Sequence, residues 1–260
     1  MDRPPLELAK SRILISNDDG IRSTGIAVLE KVARSLTDDV WVCAPETEQS
    51  GASHSLTIHR PLRTREYDER HYSVDGTPTD CIMFAVNYLM DDHRPDLVLS
   101  GINHGANIGD DVTYSGTVAA AMEATLLGVR AIAFSQCLEE GVPASFAIAE
   151  KLGADLIRRI VSAPCLDNVM VNVNFPAVSP GKAGGIKVVR HGKRKLGDDL
   201  RKRVDPRGRS YFWIGPLRTG DLPGEDTDIA VVENGGISVT PLCLDLTHYG
   251  SIGGLAQALG

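Results

Sequence analysis

The sequence predicts an α/β fold with a mostly parallel sheet and helices on both faces. Three observations carry this. Through the first two thirds of the 260 residues, short apolar runs alternate with stretches of helical spacing, the pattern of βαβ units. The apolar runs are near-continuous rather than alternating, as strands buried on both faces require. After about Pro176 the alternation gives way to short extended runs rich in Gly, Pro, Lys and Arg.

The elements follow in order. "RILIS" (12–16) reads as a buried strand, and "GIAVLEKVARSL" (25–36) places apolar residues at helical spacing. "VWVCA" (40–44) is a second strand, ended by Pro45. A polar loop follows, then extended segments near "LTIHRPLRTREY" and "YSV". "TPTDCIMFAVNYLM" (77–90) opens with Thr77 as N-cap, Pro78 at the first helical position and Asp80 in the first turn. "DLVLS" (96–100) is a strand, "SGTVAAAMEATLLG" (115–128) a helix capped by Ser115 and closed by Gly128, and "RAIAFS" (130–135) a strand. "ASFAIAEKLGADLIRRIV" (144–161) is a helix and "VMVNVNF" (169–175) a strand. Beyond these, "GIKVVRHG", "YFWIG", "DIAVVENG" and "GISVTPL" read as short extended runs in hairpins or an arm. The expected organisation is one domain over 1–260, with an α/β core at 11–178 and an extended hairpin arm and C-terminal tail at 179–260.

Composition bounds the function. The formal net charge of −7 makes non-specific nucleic-acid binding a poor reading, and no stable nucleic-acid complex is expected. Five scattered cysteines (Cys43, Cys81, Cys137, Cys165, Cys243) show neither zinc spacing nor a disulfide framework, which suits a reducing, cytoplasmic setting. The N-terminus lacks the pattern of a signal peptide, and no apolar run approaches the roughly 18–20 residues that span a bilayer, so no membrane partner is expected.

In open α/β sheets, ligands bind beyond the carboxyl ends of the strands, where the strand order switches. Asn17, Asp18 and Asp19 follow the first strand, and Ser50 lies in the loop after the second. Asn103 and Asn107 follow "DLVL", and Ser115, Gly116 and Thr117 open a helix. Adjacent aspartates repel unless something positive lies between them. Carboxylates, a hydroxyl and an amide carbonyl form the oxygen set that Mg²⁺, Mn²⁺ or Ca²⁺ prefers. A helix start adds N–H groups and a positive dipole end for a phosphate. Together these suggest metal-assisted phosphoryl chemistry. Alone, each stretch has an ordinary explanation: Asp-Asp-Gly is a turn, Ser50 solvated surface, "YSGTV" a capped helix. The functional reading rests on several of them falling at the same end of separate strands.

Two other classes share part of the pattern. A receiver-like signalling module also pairs acidic residues after its first strand, but needs a phospho-accepting Asp after a central strand, where this chain offers Ser100 and Asn103. A cofactor-binding protein such as a methyltransferase needs a glycine-rich first loop and an acidic end to the second strand, where this chain has Asp-Asp-Gly and "CAPETE".

The sequence resembles the SurE family, the stationary-phase survival protein nucleotidases. The matching pieces are "ILISNDDGI", "VCAPETEQSGASHSLTI", "VDGTPTDC", "DLVLSGINHGANIG", "YSGTVAAAMEA", "VNVNFP", "DPRGRSYFWIG" and "SVTPLCLDLT", in family order from Ile13 to Thr247. The resemblance implies a Rossmann-like core with a C-terminal β-hairpin arm used in oligomerisation, as a homodimer or tetramer. It implies a 5′-nucleotidase, a divalent-metal-dependent phosphomonoesterase acting on nucleoside monophosphates at the 5′ and sometimes the 3′ position. One Mg²⁺ or Mn²⁺ per subunit would lie on Asp18, Asp19, Ser50 and Asn103. The substrate phosphate would meet Asn107 and the Ser115–Gly116–Thr117 turn; the residue types themselves add Asn17 to the phosphate contacts and suggest catalytic roles for Asp18, which takes the water's proton, and Asn107, which neutralises phosphoryl charge. The sequence departs from many members at Tyr114, where they carry histidine, so that residue's proton-transfer role does not carry over. The first ten residues extend beyond the usual start and read as a disordered lead-in.

Overall fold

The computed structural model describes residues 4–139, 141–142, 144–164, 168–193, 200–214 and 226–260. Cys165 and, in the basic stretch, Arg194 and Lys195 lie outside the described residues. The chain alternates as expected: β1 (Ile13–Ser16), α1 (Thr24–Arg34), β2 (Val40–Pro45), β3 (Thr64–Asp68), β4 (His71–Val74), α2 (Pro78–Phe84), β5 (Leu97–His104), α3 (Gly116–Leu126), β6 (Arg130–Gln136), α4 (Ala147–Ser162) and β7 (Val169–Phe175). There follow β8 (Ile186–Val188), β9 (Leu200–Val204), β10 (Ser210–Ile214), α5 (Asp228–Glu233), β11 (Ile237–Cys243) and α6 (Tyr249–Leu259).

Nine strands form one sheet in the order β3-β4-β2-β1-β5-β6-β7-β11-β8. β1 runs parallel to both β2 and β5, and β5, β6 and β7 continue in parallel. The chain thus moves to one side of β1 for β2 and to the other for β5, which makes the β1–β5 boundary the switch point. Ile13 and Ile15 point into a core built with Leu29 of α1, Ile157 of α4, Phe134 and Phe175. Leu14 points the other way, into a second core with Ile82 of α2, Val118 and Ala121 of α3. All three β1 side chains are fully buried, at roughly 1.5–3 kcal/mol each. This explains the uninterrupted apolar run: both faces of the strand are inside.

The caps match the sequence signals. Thr77 accepts from Asp80 N while the Asp80 carboxylate accepts from Thr77 N, a reciprocal capping box at α2. Ser115 caps α3 by accepting from Val118 N. At the start of α1, a Cβ on Gly25 would lie 1.9 Å from the Ile102 carbonyl oxygen, so only glycine lets this helix approach the end of β5 so closely.

Three expectations are corrected. "DIAVVENG" is not extended: Asp228–Glu233 is a helix, capped by Thr227 through Ala230 N and ended by Gly235 at φ +75°. Its β-branched run mimics a strand, but the Thr cap and the glycine beyond its end are helix punctuation. Second, the core does not stop at 178. β11 pairs antiparallel with β7, and β8 parallel with β11, so both extend the main sheet. Only β9 and β10 form a separate two-stranded hairpin, with Phe212, Trp213 and Ile214 exposed. Third, the lead-in is held over its described part. Leu6 and Leu8 pack on the core, and Pro4 O accepts from Arg130 Nη2.

Candidate active site

The chain leaves β1 through a turn shaped by Asn17. Its Oδ1 accepts from Gly20 N (3.2 Å), and its Nδ2 donates to Gly20 O (3.0 Å) and to Ser23 Oγ (2.8 Å), the cap of α1. Asn17 was expected to touch substrate; instead its whole amide is used to build the turn that presents Asp18 and Asp19.

Asp18 is buried against the start of α3. Its carboxylate accepts from the Thr117 hydroxyl and the Thr117 backbone N–H. Burial raises its pKa to about 6, against the lowering effect of the Thr117 hydroxyl. Asp19 is half-buried; burial raises its pKa too, opposed by the N–H of His104, which donates to Asp19 Oδ2 at 3.0 Å. Neither aspartate forms an ion pair with Lys or Arg among the described residues. Two adjacent carboxylates are thus held in a partly buried site with no Lys or Arg counter-ion among the described residues.

The other loops converge on this pair. Gln49 N donates to Asp18 O at 2.8 Å, which docks the loop carrying Ser50. Ser50 is exposed and its hydroxyl donates to Glu48 Oε1 at 2.8 Å. Asn103 Nδ2 donates to Gly105 O at 2.9 Å, which orients the amide. Its neighbour His104 makes the bond to Asp19. The loop after Ser50 is tied down again where Ser53 N donates to Tyr114 O at 3.1 Å.

The helix start differs from expectation in its use. The Ser115 hydroxyl accepts from Val118 N to cap α3, and the Thr117 hydroxyl gives its proton to Asp18, so the Thr117 hydroxyl is not a donor toward a phosphate. A Cβ on Gly116 would sit 2.7 Å from Asp18 Cβ and 3.0 Å from Pro78 Cγ. Gly116 is therefore bare so that Asp18 can lie on the helix end. The anion held at this N-terminus is Asp18 itself, where the helix dipole favours its charge. Asn107 is also set back. Its Nδ2 donates to Ser135 Oγ at 2.8 Å, and its backbone is held by Asn172 and Asn174.

The donor chemistry fits a hard divalent cation. Asp18, Asp19, Ser50 and Asn103 supply oxygens only, and among the described residues no group of three His, Cys, Asp or Glu could hold a metal. A zinc site of nitrogen and sulfur ligands is therefore a poor fit, and a shell on the two aspartates would need neutral oxygens such as those of serine and asparagine. Sequence reading missed Glu48, two residues before Ser50, whose charge adds to burial in raising the pKa of Asp19.

The chain is similar to known proteins over nearly its whole length. A family model described as "Survival protein SurE" matches residues 13–198. The chain is 55% identical over 259 residues to the protein named 5′-nucleotidase SurE of Paramagnetospirillum magneticum, covering 99% of this chain and all of that one. It is 53% identical over 261 residues to the 5′-nucleotidase SurE of Rhodospirillum rubrum, covering 99% and 100%. The crystal structure of the SurE protein from Aquifex aeolicus superposes with a TM-score of 0.84 at 40% identity, covering 96% of this chain and 100% of that one.

Proposed function

The chain belongs to the SurE family, and on that premise we propose that it is a 5′-nucleotidase: a divalent-metal-dependent phosphomonoesterase that converts nucleoside 5′-monophosphates, and 3′-monophosphates as a second class, to nucleoside and phosphate. The observation that supports this best is the Asp18–Asp19 pair at the switch point, which has no Lys or Arg counter-ion among the described residues, with Ser50 next to Gln49 and Asn103 next to His104, the two residues bonded to the pair.

Asp18, Asp19, Ser50 and Asn103 would hold one Mg²⁺ or Mn²⁺ per subunit. When bound, the ion supplies Lewis-acid polarisation of the phosphoryl group. Asp18, one of the two carboxylates that would hold the ion, is assigned to take the proton of the attacking water. Thr117 keeps that carboxylate aimed, and the turn of Asn17 fixes both aspartates without occupying the space in front of them. Asn107 is assigned to the phosphoryl oxygens, which gain charge in the transition state, through the second hydrogen of its Nδ2, the first being given to Ser135 Oγ.

The exposed aromatic face of β10 supports assembly of two or four copies, since an isolated two-stranded hairpin is marginal in water. No helix of the described residues is long and apolar enough to cross a membrane. The free thiols of Cys43, Cys81 and Cys243 suit the reducing cytoplasm. The test is a phosphate-release screen over nucleoside monophosphates, di- and triphosphates and sugar phosphates, with EDTA and with Mg²⁺ or Mn²⁺ added back. Release from the monophosphates that EDTA abolishes and metal restores is expected; release unaffected by EDTA would overturn the proposal.

A further inference from the structure

Strand β7 carries an oddity. Between its apolar residues Val171, Val173 and Phe175 stand Asn172 and Asn174, both fully buried. An apolar core position would ordinarily take Val or Leu, because a buried amide is costly unless its hydrogen bonds are made. These amides are aimed at one peptide. Asn174 Oδ1 accepts from Asn107 N at 2.8 Å, and Asn174 Nδ2 donates to Asn107 O at 3.1 Å. Asn172 Nδ2 donates to the same carbonyl at 2.8 Å. A side-chain amide thus pairs with the Asn107 backbone as a neighbouring strand would.

Two residues on, the same turn is gripped from the other side. Gly109 N donates to Asp228 Oδ2 at 3.0 Å. Asp228 is fully buried at the start of α5, and its Oδ1 also accepts from Gly192 N (2.8 Å) and Ile229 N (2.9 Å). The Gly109 carbonyl accepts from His191 Nε2 at 2.6 Å. A Cβ on Gly192 would lie 2.9 Å from Asp228 Oδ1, so glycine there lets the backbone come within bonding distance of the carboxylate. Residues far apart in sequence, on β7, before β9 and at the start of α5, therefore meet on the Asn107–Gly109 turn.

We infer that Asn174 and Asp228 are positioning residues that fix the Asn107–Gly109 turn, and with it the side chain of Asn107, for the transferred phosphoryl group. The inference rests on the assignment of Asn107 to that group in the proposed function. Neither residue touches the aspartate pair, so their loss should be felt by the anion and not by the cation.

The test compares Asn174→Asp, Asp228→Asn and Asn107→Ala with the unaltered enzyme. Asn174→Asp keeps the shape but removes the amide donor to Asn107 O. Asp228→Asn turns an N–H donor toward backbone donors. The readouts are the inhibition constant of inorganic phosphate, KM and kcat for a nucleoside monophosphate, Mn²⁺ affinity and Tm. For both positioning variants, the phosphate inhibition constant and KM should rise about tenfold, the loss of one or two buried hydrogen bonds, with Mn²⁺ affinity within about twofold. Added to Asn107→Ala, either change should cost little more, because the group it positions is already gone. A purely structural role would lower Tm and leave the constants of the folded enzyme unchanged. If either variant fails to fold, His191→Leu removes only the bond to Gly109 O and should move both constants the same way, about two- to fivefold. Unchanged constants in the folded variants, with a clear rise in Asn107→Ala, overturn the positioning role alone. Unchanged constants in Asn107→Ala overturn the assignment of Asn107, and the purpose of the clamp with it.

Discussion

Asp18→Asn should make the metal-free protein more stable while abolishing its chemistry. Burial raises the Asp18 pKa from the ordinary 3.8 to about 6. At about 1.4 kcal/mol per pH unit, keeping that carboxylate ionised in the folded state costs about 3 kcal/mol at neutral pH. The sign follows from the direction. The folded state binds this proton more tightly than the unfolded chain, so this group's contribution is most favourable below about pH 4 and is lost as pH rises through about 6. Asparagine carries no charge, and its Oδ1 can still accept from the Thr117 hydroxyl. In EDTA the variant should match the parent near pH 4 and exceed it by about 2–3 kcal/mol at pH 7.5, roughly 5–10 °C in Tm. With excess Mn²⁺ the order reverses, because only the parent gains stability from tight binding. Denaturant unfolding from pH 4 to 8, with EDTA and with Mn²⁺, reads all of this. A variant less stable than the parent at pH 7.5 in EDTA, or a difference that does not change with pH, would refute the electrostatic account of the site.

Other outcomes follow from the same geometry. Gly116→Ala forces Asp18 from the helix end, since the new Cβ would lie 2.7 Å from Asp18 Cβ; calorimetry should show at least about a tenfold loss of Mn²⁺ affinity, with about 1–3 kcal/mol of destabilisation. Thr117→Val removes the hydroxyl that lowers the Asp18 pKa, so the pH at which Mn²⁺ binding is half lost should move up; an unmoved midpoint would mean that this hydroxyl does not face the carboxylate. Replacing β9 and β10 with a short Gly-Ser turn should leave a folded protein of lower mass by light scattering. Truncation after Ala177 removes β8 and β11 from the main sheet and should not fold.

The layers of the fold were legible because β1, β5 and β6 are buried on both sides and read as unbroken apolar runs. The caps at Thr77 and Ser115 were legible because their chemistry is local. The helix at Asp228–Glu233 was hidden by its Ile and Val content, and the place of β11 in the sheet by a pairing with β7 that no local pattern announces. At the site, residue types at the strand ends pointed to the aspartates, Ser50 and Asn103 as candidates. Which way each side chain turns was not legible. Asn17, Ser115 and Thr117 look like ligands in the sequence, yet their polar atoms serve the turn, the cap and Asp18. "VNVNF" did carry a signal, polar residues at alternate positions of a buried strand, but its meaning depends on Asn107 lying across the sheet.

Phosphate release should depend on one divalent cation held jointly by Asp18, Asp19, Ser50 and Asn103. The most direct measurement is Mn²⁺ binding by electron paramagnetic resonance on metal-stripped protein, with phosphate release from a nucleoside 5′-monophosphate followed on the same samples. The account predicts one Mn²⁺ per chain, activity that rises in proportion to occupancy, and loss of both in Asp19→Asn and Asn103→Ala. Full binding in those two variants, or phosphate release from the metal-stripped parent, would contradict it.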